Sequence, residues 1–242
     1  MLNVWWLNNM EDKILLVVVA YNEEGKVGKV LSFIPECVDE VLVVDDGSTD
    51  GTAEEARQFD VTVISHEKNR DVGAAIRTGI DYAIKNNFNI CAIISGDNQY
   101  KQSEVCDLVK PITEEDYDFV YSSRYLTNEI QKQPLFRKLT TIAYTWLFKF
   151  VTGVEVSDTS NGFRAFKTEI FKDINIWQDW LDRYEMEPYI LIEVLKRNYK
   201  FKQVPCTKSF PKEGYSKMKP FEDWYRICKP LFRELINKIK GR

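Results

Sequence analysis

The stretch Ile93-Ile94-Ser95-Gly96-Asp97-Asn98-Gln99-Tyr100 decides how the rest of the chain reads. Residues 91–94 are apolar or small and read as a buried strand. It stops abruptly at a polar cluster carrying a carboxylate, Asp97, and two residues on an amide, Gln99. In an open parallel sheet, ligands bind beyond the carboxyl ends of the strands. A carboxylate there, beside a carbonyl-type oxygen, suits a hard cation such as Mg²⁺ or Mn²⁺ that keeps some water and shares substrate phosphates. An ordinary Gly-Asp-Asn turn has the same composition, so the neighbouring motifs decide between the two.

Toward the N-terminus, residues 13–20 (KILLVVVA) form an apolar run of the kind expected for a strand buried on both faces. Asn22 reads as the N-cap of a helix with Val27, Val30, Leu31 and Ile34 on its face. A second buried strand, 41–44, ends in Asp45-Asp46-Gly47-Ser48-Thr49-Asp50-Gly51-Thr52, and Thr52-Ala53-Glu54-Glu55 fits a capping box. Residues 61–65 read as a third strand, and from Val72 apolar or small residues recur at helical spacing. This alternation predicts an α/β fold with a mostly parallel, doubly wound, Rossmann-like sheet. Right-handed crossovers then bring residues 21–23, Asp45-Asp46 and Asp97 to one edge.

Toward the C-terminus, 103–111 reads as a helix and 118–121 as a strand leading into Ser122-Ser123-Arg124-Tyr125. A long amphipathic helix follows, its face carrying Leu135, Leu139, Ile142, Ala143, Trp146, Leu147 and Phe150, and Gly153 ends it. The turn-rich segment 158–164 leads to a short strand and a helix. Residues 187–197 read as helical and 201–204 as an edge strand stopped by Pro205. The tail, 219–242, carries seven basic residues against three acidic ones and an apolar stripe (Trp224, Ile227, Leu231, Phe232, Leu235, Ile236, Ile239). It reads as a basic amphipathic helical extension to a domain over 12–218. Such a helix either lies on an anionic membrane or packs on its own domain.

The 242 residues, 44% hydrophobic and 29% charged, are those of a globular chain, and the net charge of −4 argues against a nucleic-acid partner. Five scattered cysteines without CxxC spacing read as free thiols in a reducing compartment, with no zinc site. The single histidine, His66, reads as a surface residue at a strand end. No secretory or membrane-spanning segment is visible, so a cytoplasmic location is expected, peripheral at the inner membrane face if the tail or a membrane partner subunit docks it.

The motifs Ala20-Tyr21-Asn22-Glu23-Glu24, Val43-Val44-Asp45-Asp46-Gly47-Ser48, and Asn69 with Gly73 before a helix together resemble the inverting family 2 glycosyltransferases, whose fold is of the GT-A type. Gly96-Asp97-Asn98-Gln99, Ser123-Arg124-Tyr125, Asp158 with Gly162-Phe163-Arg164, and Gly214-Tyr215-Ser216-Lys217 narrow the likeness to dolichyl- or polyprenyl-phosphate mannose and glucose synthases. The resemblance implies a nucleotide-sugar donor (GDP-mannose or UDP-glucose) bound by Ala20, Tyr21, Glu23, Asp45, Asp46, Asn69, Gly73, Ser95 and Asp97. It implies a metal on Asp97 and Gln99, Mg²⁺ or Mn²⁺, and catalytic roles for Asp97, Arg124 and Asp158. It further implies a polyprenyl-phosphate acceptor held by Arg124, Arg137, Thr141, Arg164 and Lys217. Ser95 stands where the family's motif often has an aspartate, and Pro211 where relatives tend to have an arginine.

A lipid phosphate attacks as an anion and needs cations to hold it, for which arginine forks suit best. A saccharide hydroxyl instead needs a general base, for which Asp158 and Glu187 are the candidates. A saccharide acceptor and a catalytically inactive nucleotide-sugar binding protein are the alternatives. A dinucleotide-dependent oxidoreductase is disfavoured because the first turn lacks GxGxxG.

Overall fold

Successive side chains of the first strand, β1 (Ile14–Ala20), go to opposite sides of the sheet. Leu15 and Val17 enter one hydrophobic cluster, while Ile14, Leu16, Val18 and Ala20 enter another. Both faces of β1 are therefore dry, and each fully buried Val, Leu or Ile contributes about 1.5–3 kcal/mol relative to exposure. The computed structural model describes residues 12–126, 135–159, 161–209 and 220–240.

The other strands are β2 (Glu40–Asp45), β3 (Thr62–Ser65), β4 (Ile90–Ser95), β5 (Phe119–Ser123), β6 (Arg164–Lys167) and β7 (Phe201–Pro205). The sheet runs in the order β3-β2-β1-β4-β6-β5-β7. β1 pairs in parallel with β2 and β4, β2 with β3, and β5 with β7. Only β6, between β4 and β5, runs antiparallel to its neighbours among these strands. Helices α1 (Val27–Leu31), α2 (Thr52–Ala56) and α4 (Val105–Glu115) cover one face. Helices α3 (Val72–Lys85), α5 (Leu135–Thr152), α6 (Met186–Lys196) and α7 (Pro220–Ile239) cover the other. The mostly parallel α/β sheet expected from the alternation is present, with β7 on an edge.

Several local expectations fail. Asn22 is no N-cap: α1 starts at Val27, and Asn22 sits at φ 52 with its side-chain oxygen accepting the Thr49 N–H at 2.9 Å. The capping box over 52–55 does not form either, because both of its side chains serve the neighbouring loop. Thr52 Oγ1 accepts the Glu23 N–H at 2.7 Å, and the Glu55 carboxylate accepts the N–H groups of Gly25 and Gly28 at 2.6 and 3.1 Å. α4 continues through Pro111 to Glu115.

The cysteines are not all free. Cys37, before β2, is disulfide-bonded to Cys106 on α4, while Cys91, Cys206 and Cys228 form no disulfide. The largest departure is the orientation of α5. Tyr144, Phe148 and Val151 face the core, whereas Leu139, Ile142, Trp146 and Phe150 are 52–70% exposed. This helix is apolar on more than one face. Tyr144 fixes the inward side: its ring packs edge-on to Trp224 of α7, and its hydroxyl donates to the Ile227 carbonyl at 3.0 Å. α7 is further held by the Lys196–Glu234 ion pair and by Lys238, which donates to the Val151 carbonyl at 2.7 Å. The tail helix therefore packs on the rest of the chain.

Candidate active site

The sheet register builds the first part of the site. Ala20 lies opposite Asp45, and Val19 opposite Ser95, so the ends of β1, β2 and β4 are level. Beyond those ends the Asp46 N–H donates to the Ala20 carbonyl and the Gly96 N–H to the Val19 carbonyl, both at 2.8 Å. One strand thus fixes the exit of both neighbours, and Asp46 and Asp97 share one edge. With β1 between them they stand about 10 Å apart, from the usual strand spacing.

The loops after β1 and β2 are interlocked. Asn22 N–H donates to Ser48 Oγ at 2.9 Å, Glu24 N–H to Asp50 Oδ2 at 3.2 Å, and Gly51 N–H to Glu24 Oε2 at 3.1 Å. Glu23 is buried and paired with Lys26 at 2.7 Å. Asp45 accepts the Ser48 N–H at 3.1 Å, which fixes the turn before Gly47. Gly47, at φ +70, lies directly against the backbone of Lys68 and Asn69, so a Cβ there has no room. That contact seats the loop containing Asn69 against the tip of β2. Gly73 opens α3 and lies against the backbone of residues 181–183, where the Ala74 N–H donates to the Asp182 carbonyl at 2.9 Å.

Asp46 is the most constrained carboxylate of the group. Its Oδ1 accepts the Arg70 N–H at 2.9 Å and lies 2.7 Å from His66 Nδ1. Burial raises its pKa above the ordinary aspartate value, and the bonds to Arg70 and His66 offset part of that rise. His66 is not the surface residue expected. Its side chain is 7% exposed, and its Nε2 lies 2.9 Å from Thr78 Oγ1 on α3. Sequence reasoning missed it, although its place immediately after the strand paired with β2 was a usable signal.

Asp97 Oδ1 accepts the Gln99 N–H at 3.0 Å, and Ser95 Oγ accepts the Asp97 N–H at 3.4 Å. Asp97 Oδ2 has no partner among the described residues. The donor set here is all oxygen: a carboxylate, a side-chain amide and a hydroxyl. Among the described residues no group of three or more His, Cys, Asp or Glu forms a metal cage. The residues therefore fit a hard cation completed by substrate phosphates and water, not one enclosed by protein.

A second cluster of charged residues lies past β5 and β6. Arg124 and Asp158 are both buried and form a two-armed pair, Nε to Oδ2 and Nη2 to Oδ1, each at 2.7 Å. The Arg124 N–H also donates to Asp158 Oδ2 at 3.1 Å. Burial alone would lower the Arg124 pKa, but the bonds to and charge of Asp158 outweigh it and raise it. Arg164 is buried too. Its guanidinium donates to the Asn161, Gly162 and Glu187 carbonyls and to Glu187 Oε1 at 3.1 Å. A guanidinium so occupied does not fit the expected contact with an acceptor phosphate; it braces the turn before β6.

Thr141 is buried on α5 and lines a groove of about 320 Å³ with Tyr125, Ile142, Thr145, Trp146 and Val156. The backbone of Arg137 lies in the first turn of α5, and its side chain and all of Lys217 lie outside the described residues. Also missed by sequence reasoning is a buried link behind the Asp97 turn. Tyr100 donates to Asn161 Oδ1 at 2.6 Å and accepts from Lys208 Nζ at 2.9 Å, and the Ser209 N–H donates to the Gln99 carbonyl at 2.7 Å.

Residues 15–175 match the model of glycosyl transferase family 2. The chain belongs to that family. As a family 2 glycosyltransferase it is similar to an uncharacterized protein of Methanocaldococcus jannaschii, 32% identical over 95% of this chain and 93% of the relative. It is also similar to the UDP-N-acetylglucosamine–dolichyl-phosphate N-acetylglucosaminyltransferase of Methanococcus voltae, 27% identical over 90% of this chain and 96% of that one. Among solved structures, the fold matches glucosyl-3-phosphoglycerate synthase of Mycobacterium tuberculosis in complex with Mn²⁺ and uridine diphosphate. The TM-score is 0.72 and the identity 19%, over 93% of this chain and 80% of that one. The glycosyltransferase fold is thus of the GT-A type, and the chain is an enzyme of the glycosyltransferase class.

Proposed function

We propose that this glycosyltransferase moves a hexose, mannose or glucose, from a nucleotide sugar to a polyprenyl phosphate, with inversion at the anomeric carbon. The observation that carries the lipid-phosphate acceptor is the state of the two carboxylates on the acceptor side. Asp158 has both oxygens engaged by Arg124, and Glu187 is paired with Arg164. A sugar hydroxyl needs an available base in hydrogen-bond reach, and here each base must first leave an arginine. A phosphate oxygen is already anionic and needs none. The likeness to a dolichyl-phosphate transferase over nearly its whole length supports the same reading.

In this reading Ala20, Tyr21, Glu23, Asp45, Asp46 and the loop from Asn69 to Gly73 seat the nucleotide, with Ser95 beside the ribose. Asp97 and Gln99 would hold Mg²⁺ or Mn²⁺. A divalent ion there supplies charge neutralisation to the departing diphosphate. Asp158 engages the Arg124 fork at both oxygens, so that pair shapes the acceptor side as Arg164 braces its turn, and Thr141, Arg137 and Lys217 are the residues assigned to the lipid phosphate.

No helix among the described residues is long and apolar enough to cross a membrane. The exposed stripe Leu139, Ile142, Trp146 and Phe150, together with exposed Phe232, Ile236 and Ile239 on basic α7, suits a peripheral seat on an anionic membrane. The test is transfer of radiolabelled hexose from UDP- and GDP-sugars, with Mn²⁺, to a short polyprenyl phosphate. Product extractable into organic solvent is expected. Transfer to free saccharides with none to the lipid phosphate overturns the acceptor assignment.

A further inference from the structure

The two oxygens of Asp46 are not equivalent. Oδ1 faces two donors, the Arg70 N–H at 2.9 Å and the His66 ring at 2.7 Å, which use its two lone-pair directions. Oδ2 has no partner among the described residues. The side chain is only 4% exposed, so whatever reaches it approaches through a narrow opening.

His66 is itself held at both ends. Its backbone N–H donates to the Asp45 carbonyl at 2.9 Å, continuing the β2–β3 ladder. Its Nε2 lies 2.9 Å from Thr78 Oγ1 on α3, whose rotatable hydroxyl can donate to the ring. With Nδ1–H donating to Asp46, Nε2 accepts from the Thr78 hydroxyl, and the ring cannot swing from Asp46 without losing that bond.

We propose that His66 is a positioning residue that occupies one oxygen of Asp46 and thereby makes the nucleotide seat select uracil over guanine. This rests on the donor reading above, in which Asp46 meets the base. Uracil presents one N–H, at N3, between two carbonyl oxygens. Guanine presents two parallel N–H groups, at N1 and the exocyclic amine, which are satisfied together only by a carboxylate offering both oxygens. With Oδ1 filled, Asp46 satisfies the single uracil donor through Oδ2 and leaves one guanine donor unpaired against a buried carboxylate. An unpaired buried donor weakens binding by about tenfold or more.

The experiment is calorimetric titration of the full chain with UDP and with GDP, each with Mn²⁺, for the wild type, His66→Ala and His66→Gln. The wild type is expected to bind UDP about tenfold or more tighter than GDP. His66→Ala frees Oδ1 and brings the ratio toward one, and His66→Gln, whose amide N–H can still occupy Oδ1, restores part of the preference. A packing role alone would change both affinities together and leave the ratio in place. Equal or tighter GDP binding by the wild type overturns the inference while leaving the donor reading intact, and binding of neither nucleotide overturns both. Should His66→Ala not fold, Thr78→Val removes the far anchor and is read by the same ratio; an unchanged ratio in the folded variant counts against the inference.

Discussion

Asp158 grips the guanidinium of Arg124 with two bonds of 2.7 Å, and neither side chain reaches solvent. Removing one partner strands a buried charge, which costs about 3–5 kcal/mol. Arg124→Ala and Asp158→Ala should each lower stability by that order in chemical denaturation. The double variant should lose much less than the sum, because the surviving charge is then absent. Additive losses would show that the pair is not coupled.

Asp97 is partly exposed and donates nothing to the core, so its replacement should spare the fold. Asp97→Asn keeps an oxygen for the Gln99 N–H but removes the charge that would bind the cation. Transfer should fall by about 10²-fold or more, with the melting temperature held. Chelation of divalent ions by EDTA should abolish wild-type transfer, and Mg²⁺ or Mn²⁺ should restore it.

Asp46 has a pKa raised by burial, so it takes up a proton at a higher pH than the ordinary 3.8 of an aspartate. In the proposed donor seat base recognition uses the carboxylate, so UDP affinity should decline on acidification before pH 3.8 is reached. For stability the sign is opposite. The fold binds this proton more tightly than the unfolded chain does, so the group favours the folded state most at low pH, and that contribution is lost as pH rises through the folded pKa. Titrations of UDP across acidic pH read the first effect, and an affinity flat down to pH 3.8 would contradict it.

Cys37 and Cys106 close a loop with a sequence separation of 69. Cross-linking so long a loop stabilises by about 2–4 kcal/mol. Dithiothreitol, or the variant Cys37→Ser with Cys106→Ser, should lower the denaturation midpoint accordingly. Neither thiol belongs to the donor or acceptor sides, so nucleotide binding by the folded variant should persist.

Trp146 and Phe150 stack on each other on the open face of α5. Trp146→Glu with Phe150→Glu should leave the fold in place and reduce sedimentation with vesicles rich in phosphatidylglycerol. If binding to those vesicles is unaltered, the stripe is not the docking face.

The donor half was legible because its strands are Val/Ile/Leu runs that stop at acidic or polar residues. β1, β2 and β4 could be placed, and their tips aligned, from that contrast alone. The expected convergence of residues 21–23, Asp45-Asp46 and Asp97 is what the register delivers. The same chemistry misled at Asn22 and Thr52, since residues that cap helices also tie loops together, and here they tie two neighbouring loops. The direction of β6 was not legible, because the four residues Arg164–Lys167 carry no signal for which way a strand points. Nor did spacing indicate which cysteines meet. On α5 both the Leu139–Ile142–Trp146 row and the Tyr144–Phe148–Val151 row have helical periodicity, and only the tertiary contact with α7 chooses between them. His66 needed the β2–β3 register, which sets Asp45 opposite Ser65 and so delivers the next residue to Asp46.

The reversed strand β6 leaves the sheet with a seam. Its ladder with β4, from Ile90–Lys167 to Ile93–Arg164, is the only strand pairing that joins β1–β4 to β5–β7 among the described residues. Everything assigned to the sugar nucleotide's base and metal lies on one bank of that seam, and the Arg124–Asp158 pair on the other. A recipient-side half taken from a relative would therefore have to match this short ladder and the Tyr100–Asn161 and Gln99–Ser209 links, leaving the sugar-nucleotide half unchanged to serve a new recipient.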